Sequence, residues 1–278
     1  MIKLGMMARE TQDTTIEEAI GFAAELGLDT IDLHLAAMSR ESAYLHRIKR
    51  ACINNGLPIG YLGGGSFVGP AEEREKRMAQ GRADVDLTAF MGAQMLRVFA
   101  RYKWPEKISE QEALWGPMIA SFQELADYAA SRGVTLGLQN HDNGSFAMTA
   151  VQVLRILRDT DRDNFTFLMD TGQWLGSIGS HPRGEFDPDV DIYQDYLERT
   201  APHTELVRAK IYKIDSGREE FLDYERILRI LQKENFNGII SLVFELGEFN
   251  NLDREECIRL GVAHLRALIN DSYAGGKS

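Results

Sequence analysis

The sequence predicts one domain over residues 1–278, a single (β/α)8 barrel. Three observations predict it. Eight short apolar runs recur along the chain, each the length of a buried parallel strand, and each is followed by a segment of helical period. Their mean spacing is about 35 residues, which suits one strand–helix unit of a closed barrel. The first turn, Ala8 to Thr15, contains no glycine, so the Gly-rich fingerprint of a doubly wound dinucleotide-binding sheet is missing.

The runs are Ile2–Met7, Thr30–Leu35, Pro58–Leu62, Met95–Ala100, Val134–Leu138, Phe165–Met169, Leu206–Ile211 and Ile239–Phe244. Several are continuous rather than alternating, as in strands covered on both faces. After the first run, Thr15-Ile-Glu-Glu18 reads as a capping box opening a helix with Ile16, Ala19, Ile20 and Ala23 on one face. Gly27 closes that helix as a C-terminal cap. The third run leads into Leu62-Gly-Gly-Gly-Ser-Phe67, which lacks the Lys-Ser/Thr of a phosphate loop and reads as a flexible strand-to-helix connection. After the fourth run, Ser109-Glu-Gln-Glu112 reads as a second capping box, with Phe122, Leu125 and Ala129 on the later face and Gly133 as its stop. The sixth run enters a loop at 172–189 that is long for such a connection. It belongs to the barrel end that carries active sites, so it reads as a candidate lid. No linker rich in Pro, Gly or Ser divides the chain.

Charged residues make up 26% of the sequence and hydrophobic ones 44%, the balance of a folded globular chain. Lys and Arg number 31 against 42 Asp and Glu, a net charge of −11 whose field repels nucleic acid and anionic membranes. No apolar run reaches the ~18 residues of a membrane span. The start lacks the pattern of a signal peptide, so a reducing cytoplasm is the expected compartment. Cys52 and Cys257 lie far apart in helix-period stretches and read as buried free thiols rather than a disulfide. No apolar stripe marks an oligomer interface, and assembly into a homo-oligomer stays open.

Polar residues close four successive apolar runs. They are Gln139, Asn140 and His141 after the fifth run, and Asp170 after the sixth. Arg208, Lys210 and Tyr212 lie in and just past the seventh, and Glu245 ends the eighth. Buried without partners, such groups cost several kcal/mol each. Solvated strand ends in loop salt bridges explain one such residue; four strands in succession point to a shared pocket.

Together with Leu96-Arg-Val-Phe-Ala-Arg101, the segments Leu136–Asp142, Phe167–Gly172, Val207–Tyr212, Phe221–Ile227 and Asn237–Glu245 resemble the sugar phosphate isomerase/epimerase family, whose fold is the xylose-isomerase-like TIM barrel. The resemblance spans nearly the whole chain. It implies an enzyme that abstracts a proton next to a carbonyl of a small sugar or polyol derivative. It also implies one divalent metal (Mn, Mg or Zn) held by Glu, Asp, His and Glu from strands five to eight. Residue by residue, those positions fall here on Gln139, Asp170, Arg208 and Glu245. Only two of the four ligands are kept. Gln139 is a neutral, poorer oxygen ligand, and the guanidinium of Arg208 keeps its proton and cannot ligate. Three carboxylates, a neutral His and a dication leave one net negative charge, and the present four residues leave the same with no ion.

The expectation is therefore that no metal is bound and that Arg208 takes the space and electrostatic role of the missing cation. It would be pinned by Asp170 and Glu245 through charge-assisted hydrogen bonds. A slipped alignment, with Lys210 or Tyr212 pointing inward instead, is the alternative. If a metal is bound, Asp170, Glu245 and Gln139 are its ligands. In the expected chemistry Glu245 takes the proton, Arg208 and Lys210 steady the oxyanion, and His141 protonates a leaving or neighbouring oxygen. His141 bonded to a loop carbonyl is an equal alternative. Gln139, Asp170, His34, Trp104, Trp174 and Arg97 are the expected substrate contacts. Core-edge packing is as good a reading for both tryptophans, and either Arg97 or Arg101 suits a carboxylate or phosphate. His181 reads as a loop residue near the substrate or at the surface, and His46 and His203 as surface positions. A lyase or dehydratase acting on a keto-sugar uses the same base. A catalytically inactive sugar-binding or partner subunit is the reading from another class. A nuclease needs several metals and more clustered histidines than this chain has.

Overall fold

Eight parallel strands close into one barrel in sequence order, in a computed structural model that describes residues 2–8, 14–101, 105–178, 186–245 and 249–274. Strand β1 (Lys3–Met7) pairs with both β2 (Thr30–His34) and β8 (Ile239–Phe244), which shuts the sheet. Between them run β3 (Ile59–Ser66), β4 (Met95–Phe99), β5 (Thr135–Gln139), β6 (Phe165–Asp170) and β7 (Thr204–Ile211). The outer ring is α1 (Ile16–Glu25), α2 (Ser42–Asn54), α3 (Arg74–Met91), α4 (Ile108–Ala130), α5 (Ala150–Thr160), the single turn α6 (Glu198–Thr200), α7 (Tyr224–Lys233) and α8 (Arg254–Ala274). Among the described residues no helix is long and apolar enough to cross a membrane.

The first helix forms as its sequence dictates. The Glu18 N–H donates to the Thr15 hydroxyl at 3.3 Å and the Thr15 N–H donates to the Glu18 carboxylate at 2.8 Å, completing the capping box. Gly27 (φ 64°) and Gly133 (φ 67°) take the left-handed conformation that ends α1 and α4. The second expected capping box does not form. Helix α4 starts one residue before Ser109, so Ser109 lies inside the first turn, and the residue at the cap, Lys107, makes no side-chain capping bond.

The glycine run is also corrected: it is strand, not connection, because β3 continues to Ser66. A Cβ on Gly64 would lie 2.9 Å from the Arg97 carbonyl oxygen and 2.9 Å from Leu96 Cδ1, closer than real Cβ atoms come. The glycines let β3 run tightly against β4, where Gly63 pairs with Arg97. Cys52 and Cys257 are buried and free, as expected.

Strand alternation sorts side chains into two layers. Met7, Tyr61, Met95, Leu168, Leu206 and Val243 fill the barrel interior as one apolar cluster. The intervening residues face the helices and join the larger core. Each fully buried Leu, Ile or Phe in that layer contributes roughly 1.5–3 kcal/mol. The same alternation, carried on toward the strand C-termini, turns Arg97, Gln139, Asp170, Arg208, Lys210 and Glu245 inward.

Candidate active site

The ladder sets the centre of the site, because Asp170 on β6 lies in register with Arg208 on β7. Asp170 is fully buried, and both its oxygens are occupied. One accepts the N–H groups of Gly172 and Gln173 at 3.2 and 3.1 Å. The other accepts from Gln139 Nε2 at 3.1 Å and from Arg208 Nε at 3.2 Å. Asn140 locks this strand end: its amide donates to the carbonyls of Asp170 and Gln173, and its oxygen accepts the Asp170 N–H at 2.7 Å.

Glu245 pairs with Lys210, whose Nζ donates to it at 2.6 Å and lies 3.5 Å from Asp170. This corrects the expected pinning of Arg208 by both acids. Arg208 holds Asp170 alone and turns its other end to the Tyr61 hydroxyl at 2.5 Å. The reason is alternation. Arg208 and Lys210 are two residues apart and both face inward, and the one nearer the strand end meets the acid at the end of β8. Lys210 thus points inward together with Arg208, not in place of it.

Burial by itself would lower the pKa of Arg208. The Tyr61 oxygen, Asp170, Glu245 and Asp32 outweigh that and hold it above its ordinary value. Lys210 moves the other way: burial dominates, Arg208 adds repulsion, and its pKa falls despite Asp170 and Glu245.

Deeper in the barrel, Arg97 is 1% exposed. Its Nη2 lies 2.9 Å from His34 Nε2, and its guanidinium stacks 4.0 Å from the centre of the Phe99 ring. His141 is buried with Nδ1 2.8 Å from an Asp142 oxygen, and its ring meets Phe99 edge-on. Arg101 is exposed beyond β4 and donates to Asn143. Trp174 is fully buried, stacked on Tyr196 and packed on Phe167 in the layer between barrel and helices, which matches the core-packing alternative. Trp104 and His181 lie outside the described residues, as does the 179–185 part of the expected lid. His46 and His203 are exposed.

Several interior residues had no separate sequence signal. Tyr61 and Asp32 sit in the middle of apolar runs, where only parity with a neighbouring polar position marks them. Asp32 accepts from the Tyr61 N–H and from the Ser241 hydroxyl, and burial pushes its carboxyl up to about 7. Among the described residues, the buried polar atoms without a partner include Gln139 Oε1, Arg97 Nε and the Tyr212 hydroxyl. Left unmet, each costs about 1–3 kcal/mol.

A divalent ion does not suit this donor set. Both carboxylates already face cations, Asp170 through Arg208 and Glu245 through Lys210. Gln139 presents its N–H to Asp170, where a metal ligand would have to offer a lone pair. Among the described residues no cluster of three or more His, Cys, Asp or Glu side chains could hold an ion. A surface groove of about 780 Å³, lined by Arg155, Arg158, Arg162, Arg199 and His203, lies by the starts of β6 and β7, at the opposite end from this site.

The sequence matches the xylose isomerase-like TIM barrel family over residues 20–268. The chain belongs to that family. No curated protein matches it by sequence. Among solved structures, an L-ribulose 3-epimerase superposes with a TM-score of 0.71 at 17% identity, over 99% of this chain and 95% of the other. A 3-keto-D-glucoside 4-epimerase from E. coli gives 0.74 at 17% identity, over 96% and 100%. A D-psicose 3-epimerase from Clostridium cellulolyticum gives 0.74 at 15% identity, over 98% of each chain. At these identities the likeness is one of fold.

Proposed function

We propose that the chain is an isomerase or epimerase-type enzyme that moves a proton next to the carbonyl of a small keto-sugar or polyol derivative, and that it does so without a divalent metal. The observation that carries this reading is the convergence of Glu245, Lys210 and Arg208 at one end of the barrel, buried and within bonding range of one another or of Asp170. The names of the structural neighbours, all sugar epimerases in the three comparisons above, agree with the substrate class.

In this scheme the carboxylate of Glu245 accepts the proton from the carbon beside the carbonyl. The C–H electron pair forms the enediolate double bond, and the carbonyl pair moves onto oxygen. That developing negative charge lies between Arg208 and Lys210, two fixed cations that need little reorganisation. Asp170 and Asn140 keep Arg208 and the strand end in place. Glu245 then returns the proton. Returned to the neighbouring carbon, with the proton of the first carbon's hydroxyl passing to the former carbonyl oxygen as the new carbonyl forms, it gives an isomer. Inversion at the same carbon needs an acid on the opposite face, and the amide of Gln139 cannot supply one.

The test is deuterium wash-in. Incubated in heavy water with a panel of ketoses, the wild-type chain should exchange the hydrogen next to the carbonyl of at least one of them. Glu245→Gln should lower that exchange by ~10³-fold or more while leaving circular dichroism and ligand binding intact. Exchange that survives the substitution removes Glu245 from the mechanism. Binding without exchange of any ketose favours the sugar-binding subunit.

A further inference from the structure

The interior holds three cations, and only two have a carboxylate. Arg208 faces Asp170 and Lys210 faces Glu245. The remaining interior carboxylate, Asp32, gives its oxygens to the Tyr61 N–H and the Ser241 hydroxyl. Arg97 forms no ion pair among the described residues. Its neighbours are a histidine nitrogen and the face of Phe99, and its Nε has no acceptor. An imidazole, neutral or protonated, brings no negative counter-charge to Arg97.

Such an arrangement is costly in the empty protein. A buried charge is tolerated when paired, and leaving one unpaired is strongly unfavourable. Here the cost rises further because Arg97 shares the chamber with Arg208. Burial and the Arg208 charge together depress its pKa to about 9. A residue serving only to tie strands together would place its donors on carbonyls of the adjoining strands, and among the described residues Arg97 donates to none. Its flanking positions across both ladders are Gly63 and Gly137. A Cβ on Gly63 would lie 2.5 Å from Arg97 Nη2, so the missing side chain is what makes room for the fork. The guanidinium carbon lies over the Phe99 ring, 4.0 Å from its centre, and a guanidinium's planar fork suits the oxygens of a carboxylate or phosphate.

We propose that the substrate carries an anionic oxygen group, a carboxylate or a phosphate, and that Arg97 binds it inside the barrel. This inference rests on the keto-sugar reading of the site and narrows its substrate class to acidic or phosphorylated sugars. The bound anion supplies the counter-charge that the fold withholds from Arg97.

The experiment is titration calorimetry at low ionic strength with matched triplets: D-fructose, D-fructuronate and D-fructose 6-phosphate, and the corresponding D-tagatose series. In the wild type, at least one anionic member should bind about tenfold or more tighter than its neutral parent. The tighter of carboxylate and phosphate names the group. Arg97→Gln should erase that preference, the anionic member then binding no tighter than its neutral parent. Arg97→Lys, which keeps the charge and loses the fork, should retain part of it and covers the case of a Gln variant that fails to fold. Equal affinity for neutral and anionic members, no binding of either anionic form, or a preference untouched in both variants overturns the proposal. Repeating the titration on Glu245→Gln separates the two readings. A preference for the anion in that variant, with no deuterium exchange in the wild type, retires the proton-transfer scheme and keeps the anion site. Exchange of neutral ketoses with no anion preference does the reverse.

Discussion

Arg208 and Lys210 occupy alternate positions of β7, and each neutralises one acid on a neighbouring strand. The two pairs are not equivalent. Arg208 is fixed at two points, on Asp170 and on Tyr61, whereas Lys210 also lies near Asp170 and has a pKa lowered by burial. Removing Arg208 therefore leaves Asp170 with only the more distant lysine. Arg208→Met should destabilise the fold by about 3–5 kcal/mol, and adding Asp170→Asn should recover part of that loss, as read by urea unfolding of the single and double variants. Independent, additive losses would show that the pair is not coupled. The acids and both cations of this network were legible because they end apolar runs or repeat at a spacing of two. Which acid each cation meets was not, because that depends on how far each strand end rises above its neighbour. Tyr61 and Asp32 were illegible for a different reason: a polar atom buried mid-strand looks, in sequence, like part of an ordinary apolar run.

At the scale of elements, the most informative departure is β3. Three consecutive glycines favour flexibility in an isolated chain, and sequence alone assigns them to a loop. In the barrel they form strand because β4 comes too close for side chains. Gly64→Ala would set a methyl against the Arg97 carbonyl and Leu96, and should cost about 1–3 kcal/mol, measured as a lower unfolding midpoint with unchanged denaturant slope. Unchanged stability would mean that the β3–β4 spacing gives way easily. Helix ends show the limits of motif reading. The box at Thr15 forms, the box at Ser109 does not, and an unanticipated one forms at Thr149 and Gln152. All three have the right residues, but a box works only where tertiary packing begins the helix at its first residue.

For the molecule as a whole, the barrel was legible because eight continuous apolar runs need cover on both faces and are spaced for one helix each. The interior charge balance makes stability depend on pH in a specific direction. Burial raises Asp32 to about 7, and Glu219 is likewise raised to about 7, against ordinary values of 3.8 and 4.5. Between those limits the folded chain holds protons that the unfolded chain has lost, so stability falls as pH rises from about 4 to 7 and levels off above. Asp32→Asn should flatten part of that fall and exceed the wild type by on the order of 2–3 kcal/mol at pH 8, as read by unfolding at pH 5 and pH 8. An unchanged pH slope would show that Asp32 stays ionised throughout.

The same interior balance, with Arg208 and Lys210 as the cations of the proposed metal-free site, is tested by counting ions. Wild-type protein and the Gln139→Glu/Arg208→His variant are purified without chelator from medium supplemented with Mn2+, Mg2+ and Zn2+, and their metal content is measured. The wild type should hold no ion at stoichiometric level and the variant about one per chain, since its donor set is three carboxylates and an imidazole. About one tightly held ion per wild-type chain, lost on Asp170→Asn, would contradict it.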